Sequence, residues 1–351
     1  MTPVRLALNA MATRFELVLL GDNATRMRGA GEAALKEVER LEAQLSLYRP
    51  TSEIARVNAL AAREAVRVSP SVFDLLRHAR QLQSESGGAF DIAVAPLVRC
   101  WGFMHGTGRL PVPSEIEEAR ARSGMAHVLL DEKNYSVRFD KEGLMLDLGA
   151  IGKGYAIDCA AEILREAGVT CALLHGGTST VYGLGAPPDA EGWKIAIGGA
   201  PGDPDVLQQS EVVGSASQNF TRDARSTGCC ADRTPQRGVP TFSNQCQTTL
   251  VLRDEALSVS AVWGKSFEAG GKKFGHVIDP RTGWPVNNAV QAAVVLASAT
   301  ETDALSTALL VLGLEGHDDI TGLRPEMRAM VVAPEEQGFR VKARGISMPS
   351  S

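Results

Sequence analysis

The segment Asp147-Leu148-Gly149-Ala150-Ile151-Gly152-Lys153-Gly154-Tyr155-Ala156-Ile157-Asp158 joins two kinds of chain. Before it, Gly143-Leu144-Met145-Leu146 has the apolar character of a strand. After it, Tyr155 to Glu166 has the spacing of an amphipathic helix. Between them lie Gly149, Gly152 and Gly154 with one cation, Lys153. A strand, a glycine turn and a helix N-terminus expose backbone N–H groups beside the positive end of the helix dipole, which suits phosphate. Glycine also lets a ligand come close to the backbone. A plain tight turn has the same composition, so the segment alone leaves a ligand role open. It is not a Walker A loop. That motif has a longer spacing before its Gly-Lys pair and a Ser or Thr after it, whereas here Gly154 follows Lys153.

The rest of the chain bounds the setting. Its 351 residues suffice for one large domain or two, and 44% hydrophobic with 22% charged residues is a globular composition. A net charge of −5 argues against binding nucleic acid by phosphate neutralisation. No apolar run is long enough for a transmembrane helix. Leu6-Ala7-Leu8 is too short for the apolar region of a signal peptide, and the first cysteine, Cys100, is far from any lipoprotein leader. The six cysteines have no metal-ligand spacing. The expectation is therefore a reduced, cytoplasmic protein.

Outward from the central segment, Thr13–Leu20 reads as a strand and Ala24–Leu45 as a long amphipathic helix. Pro50 ends that run, and Thr51 or Ser52 can cap a short helix behind it. Ser69-Pro70 opens another helix that Gly87-Gly88 closes. His127–Asp131, Ser136–Phe139 and Gly143–Asp147 form an expected antiparallel set. Further strands are expected at Cys171–Leu174, Thr180–Leu184, Trp193–Ile197, Thr248–Arg253, Ala256–Ala261, Phe274–Ile278, Val290–Leu296, Arg328–Ala333 and Gly338–Ala343. Thr302–Leu312 reads as a helix capped by Thr300 or Thr302. The polar stretch Asp203–Gln247, with its Cys229-Cys230 pair, reads as a flexible insertion in a single domain over residues 1–351. Strands in chain order with irregularly placed helices point to an α+β fold of mostly antiparallel sheet.

Several other residues have chemical potential. Asp303 and Thr307, four apart on a helix, share a face and offer hard oxygens to Mg²⁺ or Ca²⁺; they serve equally as a cap and a core residue. His276 lies between a strand and the sharp turn Asp279-Pro280-Arg281-Thr282-Gly283, where a base near neutral pH or a structural histidine can sit. Trp101-Gly102-Phe103 can wall a flat ring or fill a core. Tyr48 with Arg49 can flank a planar or anionic ligand or form a surface corner. His175-Gly176-Gly177-Thr178-Ser179 is a glycine turn with hydroxyls able to meet phosphate or a flavin edge.

Taken in order, these blocks resemble the ApbE family of FAD:protein FMN transferases. The resemblance runs through Met11-Ala12-Thr13, Ser46 to Asn58, Gly88-Ala89-Phe90-Asp91 with Trp101-Gly102-Phe103, and Asp147 to Asp158. It continues through His276 to Gly283 and Asp303-Ala304-Leu305-Ser306-Thr307. It implies an ApbE or T-fold-like architecture with an FAD cleft between two lobes. The implied activity is Mg²⁺-dependent transfer of FMN from FAD to a threonine hydroxyl of an acceptor protein, with release of AMP. FAD pyrophosphatase activity and non-catalytic flavin binding are the alternatives. The resemblance assigns Ala150, Asp303, Ser306 and Thr307 to the metal. It assigns Met11, Tyr48, Trp101, Gly102, Phe103, Asp147, Lys153 and Val277 to FAD, and His276 with Lys153 to catalysis. Departures are Leu174-His175-Gly176-Gly177-Thr178 where the family has Asn-x-Gly-Gly-Asp/Asn, and Ser260-Ala261 where it has Ser-Gly.

Overall fold

The computed structural model describes residues 3–104, 106, 108–198, 248–336 and 338–347. Its centre is an eight-stranded antiparallel sheet built in chain order. The strands are Val4–Ala10, Thr13–Leu19, Ala172–Gly176, Thr180–Leu184, Glu255–Ala261, Gln291–Leu296, Arg328–Glu335 and Gly338–Arg344. Alternate side chains point to opposite faces of a strand. Leu17, Leu19, Leu174, Val294 and Val331 therefore join one core, under the helices Ala24–Leu45, Gly152–Glu166 and Ala299–Leu312. Val18, Leu173, Ala293, Val295, Met330 and Val332 join a second core on the other face. The two-stranded sheet Trp193–Ile197 with Thr248–Leu252 covers that face. The expected α+β class with mostly antiparallel sheet is the fold observed.

Several boundaries differ from the expectations, each for a local reason. The helix expected from Tyr155 begins at Gly152, so Lys153 and Gly154 occupy its first turn. Gly154 is there because the helix Ala299–Leu312 passes so close that a Cβ would sit 2.1 Å from the carbonyl oxygen of Ala299. The strand expected at Gly143–Asp147 does not form: Gly143 is in a turn with φ of +81°, and the residues after it belong to no strand. The Asn58 side chain donates to the Leu146 carbonyl at 3.0 Å and accepts from its N–H at 2.7 Å, doing the work of a neighbouring strand. The third strand of that sheet is Val66–Arg67 instead. The helix with Asp303 starts at Ala299, and its cap is Ser298, not Thr300 or Thr302. Asp158 caps it from outside, accepting from the N–H groups of Ala299 and Thr300, both at 2.8 Å. The strand expected at Phe274–Ile278 lies earlier, at Lys272–Gly275, paired with Ser266–Ala269; Ser266–Ala269, the first strand Val4–Ala10, and the short helices Ala95–Cys100 and His317–Gly322 were not expected. The Asp203–Gln247 stretch, with Cys229 and Cys230, lies outside the described residues. Among the described residues no helix is long and apolar enough to cross a membrane.

Candidate active site

The central segment meets the Ala299–Leu312 helix at the wall of a cavity of about 840 Å³, toward the upper end of the size range of small-molecule sites. Lys153 Nζ donates to the Gly149 carbonyl at 2.9 Å and lies 3.5 Å from Oδ1 of Asp303. The other Asp303 oxygen accepts from the N–H of Gly154 at 3.1 Å. Asp303 is almost wholly buried, so its oxygens need these partners. One turn on, Thr307 also lines the cavity, and its hydroxyl donates to the Asp303 carbonyl. Ser260, on the facing strand, reaches both the Ser306 and Thr307 hydroxyls, at 2.9 and 3.2 Å.

Across the cavity stands His276. Its Nδ1 is 3.2 Å from the carbonyl oxygen of Lys265. Burial pulls its pKa below the usual histidine value, and the charges of Lys265 and Lys153 add to this against the opposing hydrogen bond. Asp147 moves the other way: burial raises its carboxyl, while the Gly149 N–H and Lys153 oppose the rise. Tyr48 stands at the rim, 60% exposed, with its hydroxyl donating to Met104. Phe103, Ala150 and Val277 also line the cavity, as do Thr178 and Ser179 of the His175–Ser179 glycine turn.

Four expected residues do not line it. Trp101 is fully buried, its indole N–H donates to Gly283, and Phe274 and Trp284 pack on its ring. Gly102 turns the chain beside Trp101 with φ of +74°. Met11 sits in the two-residue turn between the first two strands, its N–H bonded to Glu42. Ser306 is buried against Ser260 and the Asp303 carbonyl. In the other direction, Ser260, Trp263, Gly264 and Lys265 line the cavity without having been singled out for it. Ser260 had one legible signal, an alternating Ser258-Val259-Ser260 strand whose hydroxyls face a helix carrying Thr302, Ser306 and Thr307. Asp91 is also at the wall, but both its oxygens are taken by the N–H groups of Ala93 and Met125.

The donor set suits a hard cation. Asp303, Thr307 and the backbone of Ala150 bring oxygen atoms to the cavity wall, the donor type that a hard cation takes. Among the described residues no group of three or more His, Cys, Asp or Glu is placed to hold a metal.

A family model described as ApbE matches residues 11–331. The chain belongs to the ApbE family. An FAD:protein FMN transferase of Salmonella typhimurium is 28% identical over 341 residues, covering 94% of this chain and 84% of the relative. One from Vibrio cholerae is 27% identical over 316 residues, covering 89% and 81%. The flavinyl transferase ApbE of Pseudomonas stutzeri has a TM-score of 0.75 at 26% identity, over 98% of this chain and 95% of that one. The ApbE protein of Thermotoga maritima shares the fold at TM-score 0.75 and 24% identity, over 98% and 97%. In this ApbE chain the blocks that carried the resemblance converge: the central segment, the His276 turn and the Asp303 helix all reach one cavity.

Proposed function

We propose that this chain is a Mg²⁺-dependent FAD:protein FMN transferase that moves FMN from FAD to a threonine hydroxyl of an acceptor protein and releases AMP. The observation that carries it is the convergence of Lys153, Asp303, Thr307 and His276 on one cavity. The names of the family relatives support the transfer of FMN from FAD to a protein.

Each residue has a job that its surroundings allow. Lys153 supplies positive potential where the pyrophosphate lies, and the first turn of its helix adds the dipole's positive end. Tyr48 and Phe103 offer ring faces to the flat parts of the dinucleotide. His276, neutral because its pKa is lowered, takes the acceptor hydroxyl proton. The threonine oxygen then bonds to the FMN phosphorus as the bond from that phosphorus to the AMP oxygen breaks. Mg²⁺ held by Asp303, Thr307 and the Ala150 carbonyl would supply charge neutralisation and polarise the phosphorus.

The test is incubation with FAD, Mg²⁺ and a threonine-containing acceptor peptide, following AMP, free FMN and peptide mass. AMP with peptide gaining FMN supports transfer. AMP with free FMN only would replace transfer by pyrophosphatase activity, and bound FAD without AMP would leave a binding module. Asp303→Ala is expected to keep the fold and lose at least about 100-fold in AMP release, as when several kcal/mol of charge stabilisation is removed. Unchanged release would take Asp303 out of the site.

A further inference from the structure

We infer that the hairpin Ser266–Ala269 and Lys272–Gly275, with Gly264 at its foot, is a positioning device that sets the tautomer and seat of His276. This rests on His276 being the base.

The hairpin register comes from its turn. Ala269 pairs with Lys272 and Ser266 with Gly275, leaving a two-residue turn of Gly270-Gly271. Both glycines are left-handed, with φ of +57° and +72°, the conformation that the tightest hairpin turn requires and that glycine adopts without strain. Carried one pair beyond Ser266 and Gly275, the same register places Lys265 opposite His276. There the Lys265 carbonyl oxygen meets His276 Nδ1 at 3.2 Å. A carbonyl oxygen only accepts, so the ring proton is on Nδ1 and Nε2 keeps its lone pair. That is the form a general base needs.

Gly264 makes room for the ring. A Cβ there would lie 2.5 Å from His276 Cε1, 3.1 Å from Nδ1 and 3.3 Å from Nε2. No side chain fits unless the imidazole or the Gly264 backbone shifts. The hairpin packs its two partly buried aromatic rings against the buried ring of Trp101. Phe267 and Phe274 stack with centroids 5.4 Å apart, and Trp101 packs 5.4 Å from Phe274. Trp101 is pinned in turn by its hydrogen bond to the carbonyl of Gly283, the last residue of the turn that follows His276. The aromatic pair and the glycine turn thus hold both ends of the segment that carries the base. Gly264, Phe267, Phe274 and Trp101 act on the reaction through His276 and touch no reacting atom.

The test reads the ring directly. In nitrogen-15-labelled full-length protein without FAD, the His276 nitrogens near neutral pH are expected to show a protonated Nδ1 and a bare Nε2. Gly264→Ala is expected to mix the tautomers. It should also lower kcat for AMP release about 100-fold while leaving KM for FAD within about twofold. In a His276→Ala background the same substitution should change the rate by no more than about twofold. A protonated Nε2 in the unaltered protein overturns the inference, and so does Gly264→Ala with unchanged tautomer and kcat. If Gly264→Ala fails to fold, the spectrum of the unaltered protein still decides. The ring spectrum needs neither FAD nor acceptor, so a failure of flavin transfer is separable from a failure of the positioning.

Discussion

His276 illustrates how much of this site is set within a few ångströms of one side chain. Its pKa falls from the ordinary 6.5 because burial penalises the imidazolium, with Lys265 and Lys153 adding to the effect. A lowered pKa leaves the base unprotonated over a wider pH range, and its activity falls only as pH drops through that lower value. In kcat/KM for AMP release we expect a plateau through neutral pH, with the acid-side half-point below 6.5. A half-point above that would mean the titrating base is another group. Lys153, His276, Asp303 and Thr307 were picked out in the sequence by the ordered blocks that resemble the ApbE family, because each residue alone served equally as a turn, cap or core group; all four reach the cavity. Trp101, in the same blocks, does not: an indole fills a core or walls a ligand site with the same atoms. Its burial under Phe274 and Trp284 made it a support for the neighbouring hairpin rather than part of the cavity wall.

At the scale of elements, the contact between the Gly152–Glu166 and Ala299–Leu312 helices brings Lys153 and Asp303 together. Two glycines in one helical turn make opposite predictions. A Cβ at Gly154 would meet Ala299 O at 2.1 Å and Asp303 Cβ at 2.9 Å, whereas one at Gly152 would meet nothing nearer than 3.8 Å. Gly154→Ala should cost about 1–3 kcal/mol by forcing the helices apart. Gly152→Ala should stay within about 0.5 kcal/mol. Thermal or denaturant unfolding of both variants checks this, and equal losses would remove close approach as the reason for Gly154. The sequence carried the glycines plainly but not their division of labour. It also hid the helix start, because Gly152 and Gly154 weaken helical propensity and only the tertiary contact explains why a glycine is needed inside the first turn.

Across the whole molecule, Arg324 ties separate segments to the helix bearing Asp303. It donates to Glu85 at 2.9 Å and to both Glu301 oxygens at 2.8 and 2.9 Å, while His78 sits 3.3 Å from Glu301. Burial raises the Glu301 pKa, but the bonds from His78 and Arg324 outweigh it and bring it from 4.5 down to about 2. A depressed carboxyl contributes stability that is present above the unfolded value and lost as pH falls through the folded one. The stability gap between the unaltered protein and Arg324→Ala should therefore be full above pH 4.5 and shrink toward pH 2. Above pH 4.5 we expect a gap of roughly 2–3 kcal/mol, less than for a fully buried pair. Unfolding midpoints at several pH values measure it, and a gap independent of pH would mean that Arg324 acts by packing alone.

The sequence by itself determined the antiparallel α+β class, the helix Ala24–Leu45 and the identity of the charged and hydroxyl groups at the cavity. The class and the helix follow from periodicity and capping, which are local, and the cavity groups follow from the ordered motif blocks that resemble the ApbE family. Only the tertiary structure decided that Asn58 replaces a strand beside Leu146, that Asp158 caps a distant helix, and that the Lys265 carbonyl meets His276. Each is a contact between segments remote in sequence or across a hairpin whose register had to be formed first, and no local pattern encodes where such partners meet.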